Sequence, residues 1–133
     1  PETDIIIVGT WQMVEKLQEV APQYPDKKYI IFDSAVDYSL GGLDNVYSIE
    51  YKQNECSFLA GAVAASATKT GTIGFVGGME NNVINDFLVG YIQGAKQVKE
   101  DIKMSIGYGG NFNESAKAKE HTLAQINQNA DII

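Results

Sequence analysis

Asp33 is the sharpest polar candidate in the sequence for contact with a small molecule. It closes the run Lys-Tyr-Ile-Ile-Phe at residues 28–32, which reads as a strand. A carboxylate at a strand's carboxyl end can accept hydrogen bonds from a sugar hydroxyl or a base N–H. It can equally terminate the strand or cap a neighbouring helix. Phe112 stands between Asn111 and Asn113, just after Gly109-Gly110. A ring in so polar a loop suits stacking on a flat ligand, with anchoring in the core as the rival reading. Trp11, following Gly9-Thr10, is a weaker aromatic candidate of the same kind. The loop Gly78-Met79-Glu80-Asn81-Asn82 is the third place where a ligand could meet the chain, with Gly78 as its candidate contact.

No catalytic set accompanies these residues. Ser34, Ser57 and Ser105 lack a nucleophile-elbow context. His121 lies beside Glu120 in a helical stretch with no second His or Cys in register, so a solvated or half-buried helix histidine is expected, not a metal ligand or base. Cys56 is the single cysteine and has no companion for a disulfide or a zinc site; among small helix residues it reads as a packed thiol. Gly71, Gly74, Gly77 and Gly78 do not form G-x-G-x-x-G, and no Gly-Lys-Ser/Thr follows them. A dinucleotide or phosphate loop is therefore unsupported. The expectation is binding without turnover, no cofactor and no metal.

The elements that must position the candidates follow from period and punctuation. The chain is organised around residues 70–98. A short apolar run at 72–76 reads as a strand buried on both faces, and Gly74 inside it implies a close backbone approach. Gly77-Gly78 turn the chain. Val83, Ile84, Phe87, Leu88, Tyr91, Ile92, Ala95 and Val98 then recur at helical spacing. In open α/β sheets, ligands bind in the loops at the carboxyl ends of the strands, and the three candidate loops all follow strands.

The other predicted elements are strands at 4–8 (buried), 28–32, 46–51 and 103–108, with a sixth opening at Asp131. Helices are predicted over 11–20 with Thr10 as cap and Val14, Leu17 and Val20 facing inward, over 53–68, and over 114–129 with Asn113 as cap. The helix at 53–68 is rich in Ala and Gly, which allows close packing. The alternation predicts α/β architecture with mostly parallel sheets and covering helices. Thr68-Lys69-Thr70-Gly71 is the predicted boundary between two lobes.

The chain has 133 residues, a net charge of −7 and a hydrophobic share of 44%. That is enough apolar material for a packed core. Without any basic cluster, nucleic acid and anionic membrane surfaces are disfavoured as partners. No run approaches the ~18 apolar residues of a membrane helix. The strand-like closing residues Ala130-Asp131-Ile132-Ile133 give the expectation of a piece of a longer polypeptide. Open strand edges in such a piece would favour self-association.

The run NVYSIEYKQNECSFLAGAVAASATKTGTIGFVGG at 45–78 and FLVGYIQGAKQV at 87–98 closely resemble the basic membrane protein family, bacterial substrate-binding lipoproteins of ABC transporters that include purine nucleoside receptors. VAPQYPDKKYIIFD at 20–33 and GYGGNFNESAKAKEHT at 107–122 match in order and spacing, so the resemblance covers essentially the whole chain. It implies a type I periplasmic-binding-protein fold, with two α/β lobes closing on a nucleoside. Residues 1–69 would be the later part of the first lobe and 70–133 the opening half of the second, each incomplete. The resemblance places Asp33 at the family's ligand-binding aspartate and Phe112 at its base-stacking aromatic. Thr72, where a Lys is common, and Gln128-Asn129-Ala130-Asp131, where Gly-Ala-Asp is usual, are the departures. The implied partners are a purine nucleoside and an ABC permease, and the implied location is the bacterial cell surface or periplasm, lipid-anchored. The alternatives are a sugar or other small solute on the same fold, an intracellular effector-sensing regulator, and, third, a flavodoxin-like or Rossmann enzyme.

Overall fold

The computed structural model describes residues 3–133, and it divides into two compact units, Pro1–Tyr51 and Lys52–Ile133. In the first unit, β1 (Ile5–Gly9), β2 (Lys28–Phe32) and β3 (Val46–Ile49) form a parallel sheet in that order. The register sets Gly9 opposite Phe32 and Phe32 opposite Ile49. A 3-10 turn (Trp11–Met13) leads into α1 (Val14–Val20). The core on one face joins Tyr29, Ile31 and Val46 to Leu17, Ala21, Val36 and Leu43. Strand alternation sends the intervening residues to the other face, where Ile5, Ile7, Phe32, Tyr47 and Ile49 are exposed.

That second face corrects the expectation of a buried strand at 4–8. Ile5 and Ile7 are apolar, but no described element covers them. The predicted helix at 11–20 also begins differently. Thr10 makes no capping bond to the helix; its hydroxyl instead donates to Gln12 Oε1 at 2.5 Å. Of the three expected inward residues, Leu17 is buried, Val14 half-buried and Val20 exposed. The loop before β3 is held by Asn45, whose Nδ2 lies 3.1, 3.0 and 3.0 Å from the carbonyls of Ala21, Tyr24 and Lys27.

In the second unit, β4 (Thr72–Gly77) and β5 (Lys103–Tyr108) pair in parallel from Thr72 opposite Lys103 to Gly77 opposite Tyr108. The strand expected from Asp131 amounts to one parallel bridge, Ile132 on Ile73, with the Gly74 N–H donating to the Ile132 carbonyl at 2.7 Å. One face of this sheet carries Ile73 and Phe75 into a core with Ala64, Ala65, Tyr91, Ala95 and Ile102. Full burial of a side chain such as Ile73 contributes about 1.5–3 kcal/mol. The opposite face receives α4 (Ser115–Asn127). Gln125 Nε2 donates to the Phe75 carbonyl at 2.9 Å, and the side-chain amide fills the space beside Gly74. The close approach at Gly74 is thus by a side chain, not by backbone.

The helices α2 (Gln53–Ala67) and α3 (Asn82–Val98) pack on each other through glycine. A Cβ on Gly94 would come within 2.6 Å of the Phe58 carbonyl carbon, and one on Gly90 within 2.8 Å of that of Asn54. Gly61 approaches the Tyr91 carbonyl in the same way. This contact places α2 with the second compact unit, which begins at Lys52. Cys56 is exposed, against the packed thiol expected. The buried stripe of α2 runs through Gln53, Ser57, Gly61, Ala64 and Ala65, and at 3.6 residues per turn Cys56 falls off it.

Candidate functional site

Parallel pairing brings the candidate loops of each unit to one end of its sheet. In the first unit, Gly9 and Phe32 are register partners, so Trp11 and Asp33 both follow the carboxyl ends of neighbouring strands. Asp33 has φ 59°, a left-handed conformation uncommon for any residue with a Cβ, though Asp tolerates it better than most. Its N–H donates to the Ile49 carbonyl at 2.8 Å, and Ser34 bridges Ile49 in antiparallel fashion. The chain therefore reverses sharply at Asp33 and holds its half-buried carboxylate at the strand end. Trp11 occupies the short 3-10 turn and is 38% exposed. A separate apolar cleft of about 360 Å³ lies between α1 and this sheet, lined by Ile6, Val8, Leu17, Val20 and Tyr24 among others. It includes neither Asp33 nor Trp11.

In the second unit, β4 and β5 end together, and pairing continues one step further because the Gly109 N–H donates to the Gly77 carbonyl at 2.8 Å. That bond draws the loop after β5 across the loop after β4. Gly110 at φ 89° and a bond from the Asn113 N–H to Asn111 Oδ1, 2.8 Å, shape the turn. Asn113 does not cap α4, against expectation; the residue at that cap is Glu114, which makes no capping bond. The Phe112 ring comes to lie on Gly78: a Cβ there would be 3.2 Å from the ring's Cγ and nearer still to Cδ1 and Cε1. Phe112 is nonetheless 56% exposed. One side of the ring is seated and the rest is presented to solvent.

On the preceding glycine, Gly77, the Tyr108 ring lies in the same manner, and its hydroxyl donates to Asn85 Oδ1 at 2.8 Å. Burial, and secondarily the charge of Glu80, push the Tyr108 hydroxyl pKa up, so it stays a donor. Asn81 caps α3, its Oδ1 accepting from the Ile84 N–H at 3.0 Å. The loops at 78–82 and 109–113 contain no Lys or Arg and one carboxylate, Glu80. Such a site can present a ring and polar atoms to an uncharged ligand. The Lys117 ammonium lies beside this loop, 3.9 Å from where a Cβ on Gly110 would stand. Tyr108 and Asn85 were not singled out by sequence reasoning; the only signal was a polar residue within an apolar helical stripe.

His121 packs half-buried against Gly107, as a helix histidine facing a strand glycine. No group of three or more His, Cys, Asp or Glu able to hold a metal occurs among the described residues.

Residues 2–133 match the Bmp family model, described as ABC transporter substrate-binding protein PnrA-like. The ABC transporter nucleoside-binding protein BmpA of Lactococcus lactis subsp. cremoris is 42% identical over 113 residues, 85% of this chain and 31% of the relative. Basic membrane protein A of Borreliella burgdorferi is 33% identical over 132 residues, 98% of this chain and 38% of the relative. An ABC transporter solute-binding protein from Aeropyrum pernix K1 superposes with a TM-score of 0.79 at 28% identity, over 96% of this chain and 37% of the other. The chain spans about a third of the length of the relatives it matches.

Proposed function

The chain belongs to the Bmp family of PnrA-like ABC transporter substrate-binding proteins, and from that premise we propose that the whole protein captures a purine nucleoside and hands it to an ABC permease. The observation that carries the reading is Phe112, a ring seated on one side and exposed on the rest, at the carboxyl end of paired parallel strands. The name of the 42% identical relative, a nucleoside-binding protein, supports the same ligand class. Base stacking on an aromatic ring contributes roughly 1–3 kcal/mol and accepts any flat base. Polar selectivity then falls to Asp33, with Trp11 and Gly78 as further contacts.

In this reading residues 1–69 and 70–133 are parts of two lobes, and ligand stabilises their closed arrangement over the open one. Only that difference in affinity moves the equilibrium. The protein would work outside the cytoplasmic membrane, held there by a lipid anchor. Calorimetric titration of the full-length protein with guanosine, inosine, adenosine, cytidine, ribose and galactose tests the ligand class. Purine nucleosides should bind most tightly, and Phe112→Ala should weaken them about 5- to 150-fold, the equivalent of losing one stacked base. Binding of sugars alone would overturn the proposal.

A further inference from the structure

Gly78 can offer a ligand only its backbone, and the geometry points to a further task for it: Gly78 is a positioning residue that seats the Phe112 ring. This rests on the reading of Phe112 as the stacking ring. The bond from the Gly109 N–H to the Gly77 carbonyl fixes where the second loop crosses the first. At that crossing the ring of Phe112 occupies the volume that a Cβ on residue 78 would need. Carbon atoms in contact prefer about 3.5–4.0 Å, so even the 3.2 Å to Cγ, the most distant of the three contacts, is too close. Any residue larger than glycine must therefore displace the ring or the loop.

The alternative hold on the ring is weak. Phe112 lies in a turn of small and polar residues, Gly109 to Asn113, and more than half of its surface is exposed. A ring free to rotate would have to be ordered by the ligand at the expense of affinity. Resting it on a backbone α-carbon orders it beforehand and leaves its outer part for the base. Tyr108 on Gly77 is the same arrangement one register pair earlier, but there the hydroxyl is also tied to Asn85. Phe112 has no hydroxyl for a second tether, so glycine must do the seating alone.

A double-mutant cycle on the full-length protein tests this, reading guanosine and inosine affinity for wild type, Gly78→Ala, Phe112→Ala and the pair. Gly78→Ala should weaken binding about tenfold, or about 1.4 kcal/mol. In the Phe112→Ala background the same change should cost nothing, because no ring remains to be seated. Additive losses, or a neutral Gly78→Ala, would overturn the proposal. If Gly78→Ala does not fold while the double variant does, relief of the clash by removing the ring supports it. A second readout needs no ligand: with glycine-selective labelling, the Gly78 α-protons should show a ring-current shift that disappears in Phe112→Ala. No such shift in wild type refutes the seating. A shift without any nucleoside binding leaves the seating in place and refutes the functional reading beneath it.

Discussion

Gly94 of α3 lies against the main chain of Phe58 in α2, so close that a Cβ would stand 2.6 Å from the carbonyl carbon and 2.9 Å from Cα. With Gly90 one turn earlier on the same face, it lets two helices meet backbone to backbone. Two effects of Gly94→Ala oppose each other. Helix propensity favours alanine by about 1 kcal/mol. The new methyl meets a carbonyl that cannot rotate away, and overpacking of this kind costs about 1–3 kcal/mol or more. The contact wins, so the variant should be less stable. Urea unfolding should show a lower midpoint with an unchanged slope; a raised midpoint would mean that the helices separate freely.

Much of this architecture was legible because apolar runs are bounded by glycine and proline. β2 occupies the predicted residues 28–32, and β4 and α3 flank the Gly77-Gly78 turn as expected. What could not be read depended on which elements cover which. Ile5 and Ile7 have the composition of buried strand residues, yet nothing described packs on them. Cys56 sits among small residues but one step off the buried stripe. Thr10 and Asn113 have capping chemistry, but the Thr10 hydroxyl is engaged by Gln12, and the cap position of α4 falls one residue later, at Glu114. Strand-end logic expected Asp33 and Phe112 to follow strands, and each does, in its own unit. The contact of Phe112 with Gly78 joins two loops far apart in sequence, and no local period encodes it.

Asp131 should make the fold sensitive to acid. Its carboxylate accepts from the Thr68 hydroxyl, and from the N–H groups of Lys69 and Thr70 at 2.7 and 3.1 Å. Chiefly through the Thr68 bond, its pKa falls from the ordinary 3.8 to about 2. The folded state therefore binds this proton less readily than the unfolded one. The stability it contributes is present above about pH 4 and is lost as pH falls toward 2. Glu19 and Asp37 also have lowered pKa values, through Lys16 and Ser39 respectively, so the comparison must be with Asp131→Asn. Unfolding midpoints of wild type and variant should converge between pH 4 and 2 and differ above it. Parallel curves would exclude Asp131 as the sensor.

Asn45 should matter more to the first unit than its half-buried surface position suggests. One amide nitrogen faces three backbone carbonyls from the segment that links α1 to β2. Asn45→Ala removes the donor, and an unsatisfied carbonyl costs roughly 1–3 kcal/mol where water cannot replace the bond. The Tyr24 carbonyl bond is exposed, so a loss of about 1–2 kcal/mol is expected. Asn45→Asp should be worse at neutral pH, since it sets a negative charge against three carbonyl oxygens. Thermal unfolding of the three proteins orders them; an aspartate variant as stable as wild type would show that the loop does not need the donor.

Asp33 allows backbone and side chain to be separated at a single position. Its φ of 59° costs roughly 1–2 kcal/mol for an ordinary L-residue, somewhat less for Asp and nothing for glycine. Asp33→Gly should therefore relieve the backbone while deleting the carboxylate. Asp33→Asn keeps a side chain equally tolerant of this conformation and removes only the charge. If the carboxylate accepts hydrogen bonds from a nucleoside, both variants should lose affinity, glycine more than asparagine. An interaction with a charged acceptor is worth roughly 1.5–3 kcal/mol, so the glycine variant should bind about 10- to 150-fold more weakly. Calorimetry with inosine alongside urea unfolding reads both quantities. Affinity unchanged in both variants would make Asp33 a residue of the turn alone, and a large fall in stability for Asp33→Gly would show that its carboxylate supports the fold.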